Sequence, residues 1–298
     1  MEPTIHTIYE PVTGTWQYIV ADPCTKETAI IDSVLDYNKD MGVVNTASAD
    51  KLLDIVMTNC YIVSYILETH AHADHLTASR YLQKMLSQRQ NGQQPLVCIG
   101  EKITQVQETL GKSYDSPRPE MHDAFDHTFS DGEIFCLGSV QIQVTSLPGH
   151  TPDMIGYVVG SNVFSGDSIF NPDLGSARCD FPGGSATALY KSAGKLLSFP
   201  SHFKLYTGHD YPPKDRGIRN PEQSGAIPYT TVGQQSTENK HEDEFVKMRS
   251  ERDSTLSEPK LLRQAMHMNL RGGRLPAYPT EGFQLEQMPA SIVRSLGA

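Results

Sequence analysis

The sequence predicts an α/β protein, because segments with strand character alternate with segments of helical spacing along most of its 298 residues. A hydrophobic fraction of 38% is enough for a real core, and the length suits one large domain or two modest ones. The chain divides into two successive parts. Each part begins with predicted strands and ends with predicted helices, and no clear linker separates the two. We therefore expect an α/β fold built from two βα halves.

The first half is predicted to alternate strands with helices. Short β-branched runs bounded by turn residues mark strands at 17–21, 28–32, 61–67 and 96–99. Apolar residues at helical spacing mark helices that begin near residue 46 and that cover 75–86 and 101–110. The polar, proline-bearing stretch 113–119 is interpreted as the connection between the halves.

The second half repeats this order. Strands are predicted at 133–137, 140–147, 155–159, 162–164 and 204–207, with a helix over 186–197. Residues 212–240 are rich in Pro, Gly, Asn, Gln and Thr, which indicates a long ordered excursion or a lid. A polar helix over 242–253 and a basic tail segment over 268–276 complete the chain. We assign 1–211 to the main domain and 212–298 to an extension that packs on it.

Charge and cysteine content exclude several classes of function. Asp and Glu number 35 against 25 Lys and Arg, for a net charge of −10, which argues against a nucleic-acid or anionic-membrane surface. The five cysteines are odd in number and form no C-x-x-C pair, so neither a disulfide framework nor a cysteine zinc site is indicated. Residues 1–11 show no basic or apolar leader. The cytoplasm is the expected compartment, with the mitochondrion as the alternative.

A dense group of metal-ligand side chains follows the predicted strand 61–67. Three histidines and an aspartate occupy six positions, and such crowding would be costly without a cation to compensate it. Three later segments each add one ligand after a β-rich stretch. The seven candidates are His70, His72, Asp74, His75, His150, Asp167 and His209. We expect His70 and His72 to converge on one ion while Asp74 and His75 turn toward a neighbouring position, so that one motif could serve two metals.

The ligand set resembles that of the metallo-β-lactamase superfamily. That resemblance implies a four-layer αβ/βα sandwich with the metal site along one edge of the two sheets. Closer agreement, over nearly the whole chain, is with the persulfide dioxygenases of this superfamily. It rests on the segments 67–75, 148–151, 177–181 and 205–211 and on the late Asn269-x-Arg271-x-Gly273.

Similarity to the persulfide dioxygenases implies one Fe(II) per chain, bound by His70, His150 and Asp167. Two imidazoles and one carboxylate on one face of iron leave three positions for a substrate thiolate, dioxygen and water. The implied reaction oxidises the terminal sulfur of glutathione persulfide, or of a similar small persulfide, to sulfite and regenerates the thiol. The remaining four ligand residues would orient the iron ligands and hold water.

A second reading uses the same residues for hydrolysis. Similarity to glyoxalase II-type thioesterases implies two metal ions, Zn(II) or a mixed pair, that share Asp167 and a hydroxide able to attack a thioester carbonyl. His70, His72 and His150 would then surround one ion, and Asp74, His75 and His209 the other. Ligand identity alone does not separate the two activities, and the segments 177–181 and 269–271 favour the dioxygenase.

Arg178, Tyr211 and Arg271 are predicted to hold the glutathione part of the substrate, partly because a guanidinium can clamp a carboxylate bidentately. Cys179 is interpreted as a small packed side chain. The insertion 36–48 departs from the family pattern and could remodel the pocket mouth. The expected partners are a small thiol or persulfide and O2, without nucleic acid or membrane, and a homodimer is compatible with the sequence.

Overall fold

Strands and helices contribute about equally to the regular structure of the described residues. The computed structural model describes residues 1–111, 121, 123–212, 216, 225–235, 241–276, 282–284 and 287–297. The strands are β1 (Thr4–Glu10), β2 (Thr15–Ala21), β3 (Glu27–Ile31), β4 (Val34–Asn38), β5 (Val43–Asn45), β6 (Ile62–Leu67), β7 (Leu76–Thr77), β8 (Leu96–Gly100), β9 (His127–Phe129), β10 (Ile134–Leu137), β11 (Val140–Ser146), β12 (Ile155–Val159), β13 (Asn162–Gly166), β14 (Lys204–Thr207) and β15 (Tyr229–Thr231).

Helices follow the strands of each half. They are α1 (Ala47–Thr58), α2 (Ser79–Arg89), α3 (Ile103–Gly111), α4 (Ala186–Leu197), α5 (Glu242–Asp253), α6 (Leu262–Asn269) and α7 (Ala290–Ser295). The predicted helix over 75–86 begins later than expected, because Leu76 and Thr77 pair with β4 as a short strand instead. Helix α5 has the predicted bounds. The predicted connection 113–119 lies outside the described residues.

Two six-stranded sheets stack face to face. The first has the strand order β1-β2-β3-β6-β8-β9 and the second the order β10-β11-β12-β13-β14-β15. Their inner faces share one apolar cluster, in which aromatic side chains such as Trp16, Tyr18, Tyr157 and Phe164 are almost fully buried. Burial of such large side chains is the main stabilising contribution between the sheets.

Helices cover the outer face of each sheet. On the first sheet, Leu52 and Leu82 of α1 and α2 join a cluster with Ile19 and Ile66. On the second sheet, Leu196 of α4 packs in a cluster with strand residues. The order of layers is therefore helix, sheet, sheet, helix, which confirms the predicted four-layer αβ/βα sandwich.

The predicted insertion 36–48 is an ordered hairpin. Strands β4 and β5 pair antiparallel, and β4 also pairs with β7, which gives a small three-stranded sheet. Because β7 directly follows the predicted ligand loop, the insertion lies against the segment that leaves this loop. It therefore lies where it can shape the approach to the site.

Described segments after residue 211 pack against the same sandwich. Strand β15 pairs with β14 as the edge of the second sheet. The segment 268–276, predicted as a basic tail, is instead largely buried, with Met268, Leu270 and Leu275 in apolar contacts. That prediction was wrong because apolar residues of this segment pack in the clusters that contain α2 and α3. Within the described residues, no helix is both long and apolar enough to cross a membrane.

Candidate metal centre

Four strand ends carry the predicted ligands to one edge of the sandwich. His70 follows β6, His150 follows β11, Asp167 follows β13 and His209 follows β14. Loops at strand ends are free of the ladder hydrogen bonds, so their side chains can converge. One ligand atom from each of His70, His150 and Asp167 lies within 4.8 Å of the others, and all three residues are buried. The predicted trio is thus brought together.

A second trio adjoins the first. Ligand atoms of His72, Asp74 and His75 also lie within 4.8 Å of one another. His209 joins them, since its Nε2 lies 3.2 Å from Asp74 Oδ2. Asp167 links the two sets, because its Oδ2 lies 3.7 Å from Nε2 of His150 and 3.6 Å from Nε2 of His209. All seven predicted ligands therefore form one cluster.

Several atoms of this cluster are buried without a hydrogen-bond partner. They are Nε2 of His70, Nδ1 of His72, Nε2 of His75 and Oδ1 of Asp167. Buried polar atoms are normally paired, and unpaired ones indicate a missing partner such as an ion. Imidazole nitrogens and carboxylate oxygens are suitable ligands for iron or zinc. The donor set therefore fits a divalent metal.

His72 is held from behind by two acidic residues that sequence reasoning missed. Its Nε2 lies 3.1 Å from Asp32 Oδ1 and 3.3 Å from Glu68 Oε2, and all three residues are buried. Asp32 also accepts hydrogen bonds from the backbone and hydroxyl of Thr69. A carboxylate behind a metal-ligand imidazole fixes the ring and raises its basicity. The available signal was the position of Asp32 at the end of a buried strand.

Two further side chains fix the backbone of the ligand loop. The carboxylate of Asp153 accepts a 2.8 Å hydrogen bond from the backbone of Ala71, and burial raises the pKa of Asp153. The amide of Asn269 donates to the carbonyls of His72 and His75 at 2.7 and 2.8 Å and accepts from the backbone of Thr77 at 2.9 Å. Asn269 was noted in the sequence only as part of a motif, and its role here is to brace the loop.

Charge within the cluster is distributed unevenly. Burial, with the neighbouring His72 and His150, holds the pKa of His70 well below its usual value, so this imidazole is neutral, as a metal ligand must be. Burial opposes ionisation of Asp74, but His209 and His75 outweigh it and hold the pKa of Asp74 well below its usual value. Burial also disfavours protonation of His209, yet Asp74 and Asp167 raise the pKa of His209 to about 9.

A cavity of about 900 Å³ opens over the cluster. Asp74, His150, Asp167 and His209 lie at its base, and apolar side chains such as Phe170 and Phe181 line its wall. The exposed charged side chains of its lining include the cations Lys39, Arg252 and Lys260 and the anion Glu258. Lys39 belongs to the segment just after β4, so the insertion does reach the pocket. The volume and lining suit a small molecule with an apolar or sulfur end and an anionic tail.

The three predicted substrate residues differ in their placement. Tyr211 lines the cavity, and its ring stacks on that of His209 with a centroid separation of 5.7 Å. Arg178 also lines the cavity, but its guanidinium makes two 2.6 Å hydrogen bonds to Asp180, and its carbonyl accepts from His150 Nδ1 at 2.7 Å. Arg271 is only 1% exposed and is not part of the described cavity lining. The structure thus does not bring Arg271 to the predicted position.

The sandwich and its ligand cluster define a class of metalloproteins. The family model of the metallo-beta-lactamase superfamily matches residues 63–209. Glyoxylase B2 of Dictyostelium discoideum is 40% identical over 97% of this chain and 98% of its own length. The chain therefore belongs to the metallo-β-lactamase superfamily.

More distant similarity includes the predicted dioxygenases. The mitochondrial persulfide dioxygenase ETHE1 of Homo sapiens is 27% identical over 70% of this chain and 68% of its own length. The crystal structure of ETHE1 from Myxococcus xanthus superposes with a TM-score of 0.68 at 24% identity, covering 91% of this chain and 100% of that chain, which shows the shared fold. The superfamily and the fold are confirmed, and both a protein named glyoxylase and a persulfide dioxygenase are among the relatives.

Proposed function

We propose that this protein is an iron-dependent persulfide dioxygenase that acts on a small thiol persulfide of the glutathione type. The observation that carries the proposal is the compact face made by His70, His150 and Asp167, whose ligand atoms lie within 4.8 Å of one another. Two histidines and one carboxylate are the ligand set of non-haem Fe(II) oxygenases. A ferrous ion bound by these residues would supply a centre at which persulfide sulfur and O2 react.

The second set of ligands supports the use of a single ion. Asp74 Oδ2 lies 3.1 Å from Nδ1 of His75 and forms an ion pair with His209 at 3.2 Å. These groups therefore compensate one another's charge without a second cation. We assign to them the orientation of Asp167 and of water next to the reacting sulfur. His72, clamped by Asp32 and Glu68, keeps the ligand loop in register.

The cavity lining supports an anionic persulfide as the proposed substrate. Phe170 and Phe181 line the cavity wall and would exclude water from the reacting sulfur. Lys39 and Lys260 at the mouth are exposed, and Lys39 Nζ donates to the carbonyl of Lys260 at 3.0 Å. Because the guanidinium of Arg178 is engaged by Asp180, these lysines are the better candidates for binding the carboxylates of the tail. Tyr211 remains a candidate for contact with the middle of the substrate.

A thioester hydrolase of the glyoxalase II type is the second candidate. It is favoured by the position of Asp167 Oδ2 between Nε2 of His150 and Nε2 of His209, at 3.7 and 3.6 Å, where a carboxylate could bridge two ions. The unpaired nitrogens of His72 and His75 are also compatible with two ions. Zn(II) or a mixed pair would then replace the single iron.

Parallel assays on anaerobically purified protein separate the two activities. We expect about one iron per chain, O2 uptake with glutathione persulfide and release of sulfite, and no O2 uptake with glutathione, which lacks the terminal sulfur. Two tightly bound zinc ions, together with rapid cleavage of S-lactoylglutathione and no O2 uptake by the iron-loaded protein, would establish the hydrolase instead.

Ligand variants provide a second test. His70→Ala, His150→Ala and Asp167→Ala should each lose both metal and turnover, whereas His209→Ala should lose turnover with much of the iron retained. Equal loss of metal in all four variants would favour the dinuclear hydrolase.

The mouth lysines can be tested without disturbing the metal. Lys39→Gln should raise KM for glutathione persulfide and leave kcat nearly unchanged, since a contact remote from the sulfur contributes equally to ground-state and transition-state binding. Lys51→Gln, on the exposed surface of α1, is the matched control for loss of one charge. A KM for Lys39→Gln equal to that of the control would remove this residue from the substrate site.

A further inference from the structure

A second cavity, of about 340 Å³, is unusually basic for this chain. Arg80, Lys84, Arg274 and Arg294 contribute its charges, and none of its described lining residues is acidic. The other lining residues are the amides Gln83, Gln88 and Gln94, the hydroxyls Ser87 and Ser295, and Gly297. In a protein of net charge −10, four cations around one cavity are a marked local concentration.

These cations are not neutralised by the part of the chain that the structure describes. No ion pair there joins any of the four to a carboxylate. The guanidinium of Arg80 donates instead to Gln83 Oε1 and to the carbonyl of Ala124, and that of Arg274 to the carbonyl of Asp123 at 2.9 Å. Burial and the nearby Arg274 lower the pKa of Arg80 to about 10, although Asp126 acts in the opposite direction. The Nε of Arg80 is buried without an acceptor. Like charges are thus held together, and an anion would relieve their repulsion.

Local structure fixes the two central arginines close to each other. Arg80, Gln83, Lys84 and Ser87 recur at helical spacing along one side of α2. Arg274 follows Gly273, whose φ is +81° and whose position would bring a Cβ to 3.0 Å from the backbone nitrogen of Arg80. The cavity is therefore built by a close approach of two chain segments, rather than by mobile surface side chains alone.

We propose that this cavity is a binding site for a tetrahedral oxyanion, either inorganic phosphate or sulfate or the phosphate group of a small metabolite. Guanidinium groups bind such anions through paired N–H donors, and Lys84 adds a point charge. A carboxylate offers only two oxygens, whereas cations from α2, α7 and the turn at Arg274 converge from three directions. A group with three or more acceptor oxygens matches that arrangement better.

The site is linked to the ligand loop through short stretches of chain. Arg80 lies three residues after Thr77, and Arg274 lies five residues after Asn269, whose side chain binds the backbone of Thr77 at 2.9 Å. An oxyanion held by Arg80 and Arg274 would tie together the same two segments that Asn269 already joins. Occupancy should therefore stabilise the loop and slow the loss of metal.

Titration of the metal-loaded protein with inorganic phosphate tests the site by calorimetry and by thermal unfolding, at constant ionic strength set with chloride. We expect saturable binding, a rise in Tm and slower metal release to a chelator. Arg274→Gln should weaken phosphate binding at least tenfold, and Lys51→Gln should not change it. Arg294→Gln, which alters an exposed side chain, gives the same comparison if Arg274→Gln does not fold.

Titrations with other anions identify the source of the anion that the site binds. Tighter binding of glycerol phosphate than of inorganic phosphate or sulfate would assign the site to a metabolite, and the reverse order to a free oxyanion. Equal phosphate affinity in wild type and both arginine variants would place the anion elsewhere and refute the site. Acetate binding as tight as that of phosphate would refute the preference for a tetrahedral group.

Discussion

Removal of the Asn269 side chain tests how the ligand loop is held. In Asn269→Ala the carbonyls of His72 and His75 and the backbone N–H of Thr77 lose their partner, at distances of 2.7, 2.8 and 2.9 Å. Asn269 is only 3% exposed, so water does not readily replace the amide. At about 1 kcal/mol net for each hydrogen bond, the expected cost is about 3 kcal/mol of unfolding free energy.

That cost is below the roughly 5–15 kcal/mol stability of a typical domain, so the variant should fold. Its loop should nevertheless be less well positioned, and we expect metal affinity to fall by about 10- to 100-fold, as for other residues that orient metal ligands. Denaturant unfolding of the metal-depleted protein measures the first effect, and competition with a chelator measures the second.

Two further variants sharpen the comparison. Asn269→Asp keeps the acceptor for Thr77 but turns a carboxylate oxygen toward two carbonyls, so it should lose at least as much metal affinity as the alanine variant. Asn59→Ala removes one 2.8 Å amide bond to Ile55 near the end of α1 and should leave metal binding unchanged. If Asn269→Ala loses less than about 1 kcal/mol and binds metal like the wild type, the brace has no such role.

Three other changes follow from the geometry of the site. Gly208→Ala would place a Cβ 2.3 Å from Asp167 Oδ1, so the carboxylate must move and metal affinity should fall at least about tenfold. Asp32→Asn removes the negative charge next to His72, and asparagine tolerates the positive φ of this position. The variant should bind metal about 10- to 100-fold more weakly. The pKa of His209 is raised from 6.5 to about 9. Protonated His209 should therefore stabilise the metal-depleted protein fully below pH 6.5, and its Tm should fall as this contribution is lost while the pH rises through 9. His209→Gln should flatten this fall in Tm.

Gly194→Ala, on α4 with open space around the added methyl, is the control for the glycine variant and should be neutral or slightly stabilising. Normal metal affinity in Gly208→Ala would mean that Asp167 is not constrained by that contact. Unaltered affinity in Asp32→Asn would reduce its role to packing. An identical pH profile of Tm with and without His209 would contradict the assigned ion pairs.

Local patterns in the sequence were sufficient to predict which candidate ligand side chains cluster. His70, His72, Asp74 and His75 share one loop, and the three later ligands each follow a strand, so strand ends alone indicated their convergence. The layered fold was predicted from the alternation of segments with strand and helix periodicity and from the resemblance to the superfamily. The fold and the convergence of these side chains could be predicted because neighbouring residues, or a repeated order of elements, carried the signal.

Long-range partners could not be read from the sequence in the same way. The hydrogen bonds from Asn269 to the ligand loop join residues almost 200 positions apart in the chain, and no local sequence pattern near either segment indicates them. Charge was also misleading: Arg271 is one of the largest fully buried side chains, although the segment was predicted to be a basic tail. The occupation of Arg178 by Asp180, by contrast, involves residues only two positions apart and could have been anticipated.

The late position of Asn269 has a consequence for biosynthesis. Thr77 and Asn269 are separated by 192 residues, and at a synthesis rate of about 5–20 residues per second roughly 10–40 s pass between the emergence of the ligand loop and that of its brace. During this interval the four candidate ligand residues of the loop exist without the amide that fixes their backbone. Acquisition of the metal in its final geometry is therefore a step that follows translation of most of the chain, and an early truncation should release protein unable to retain the ion.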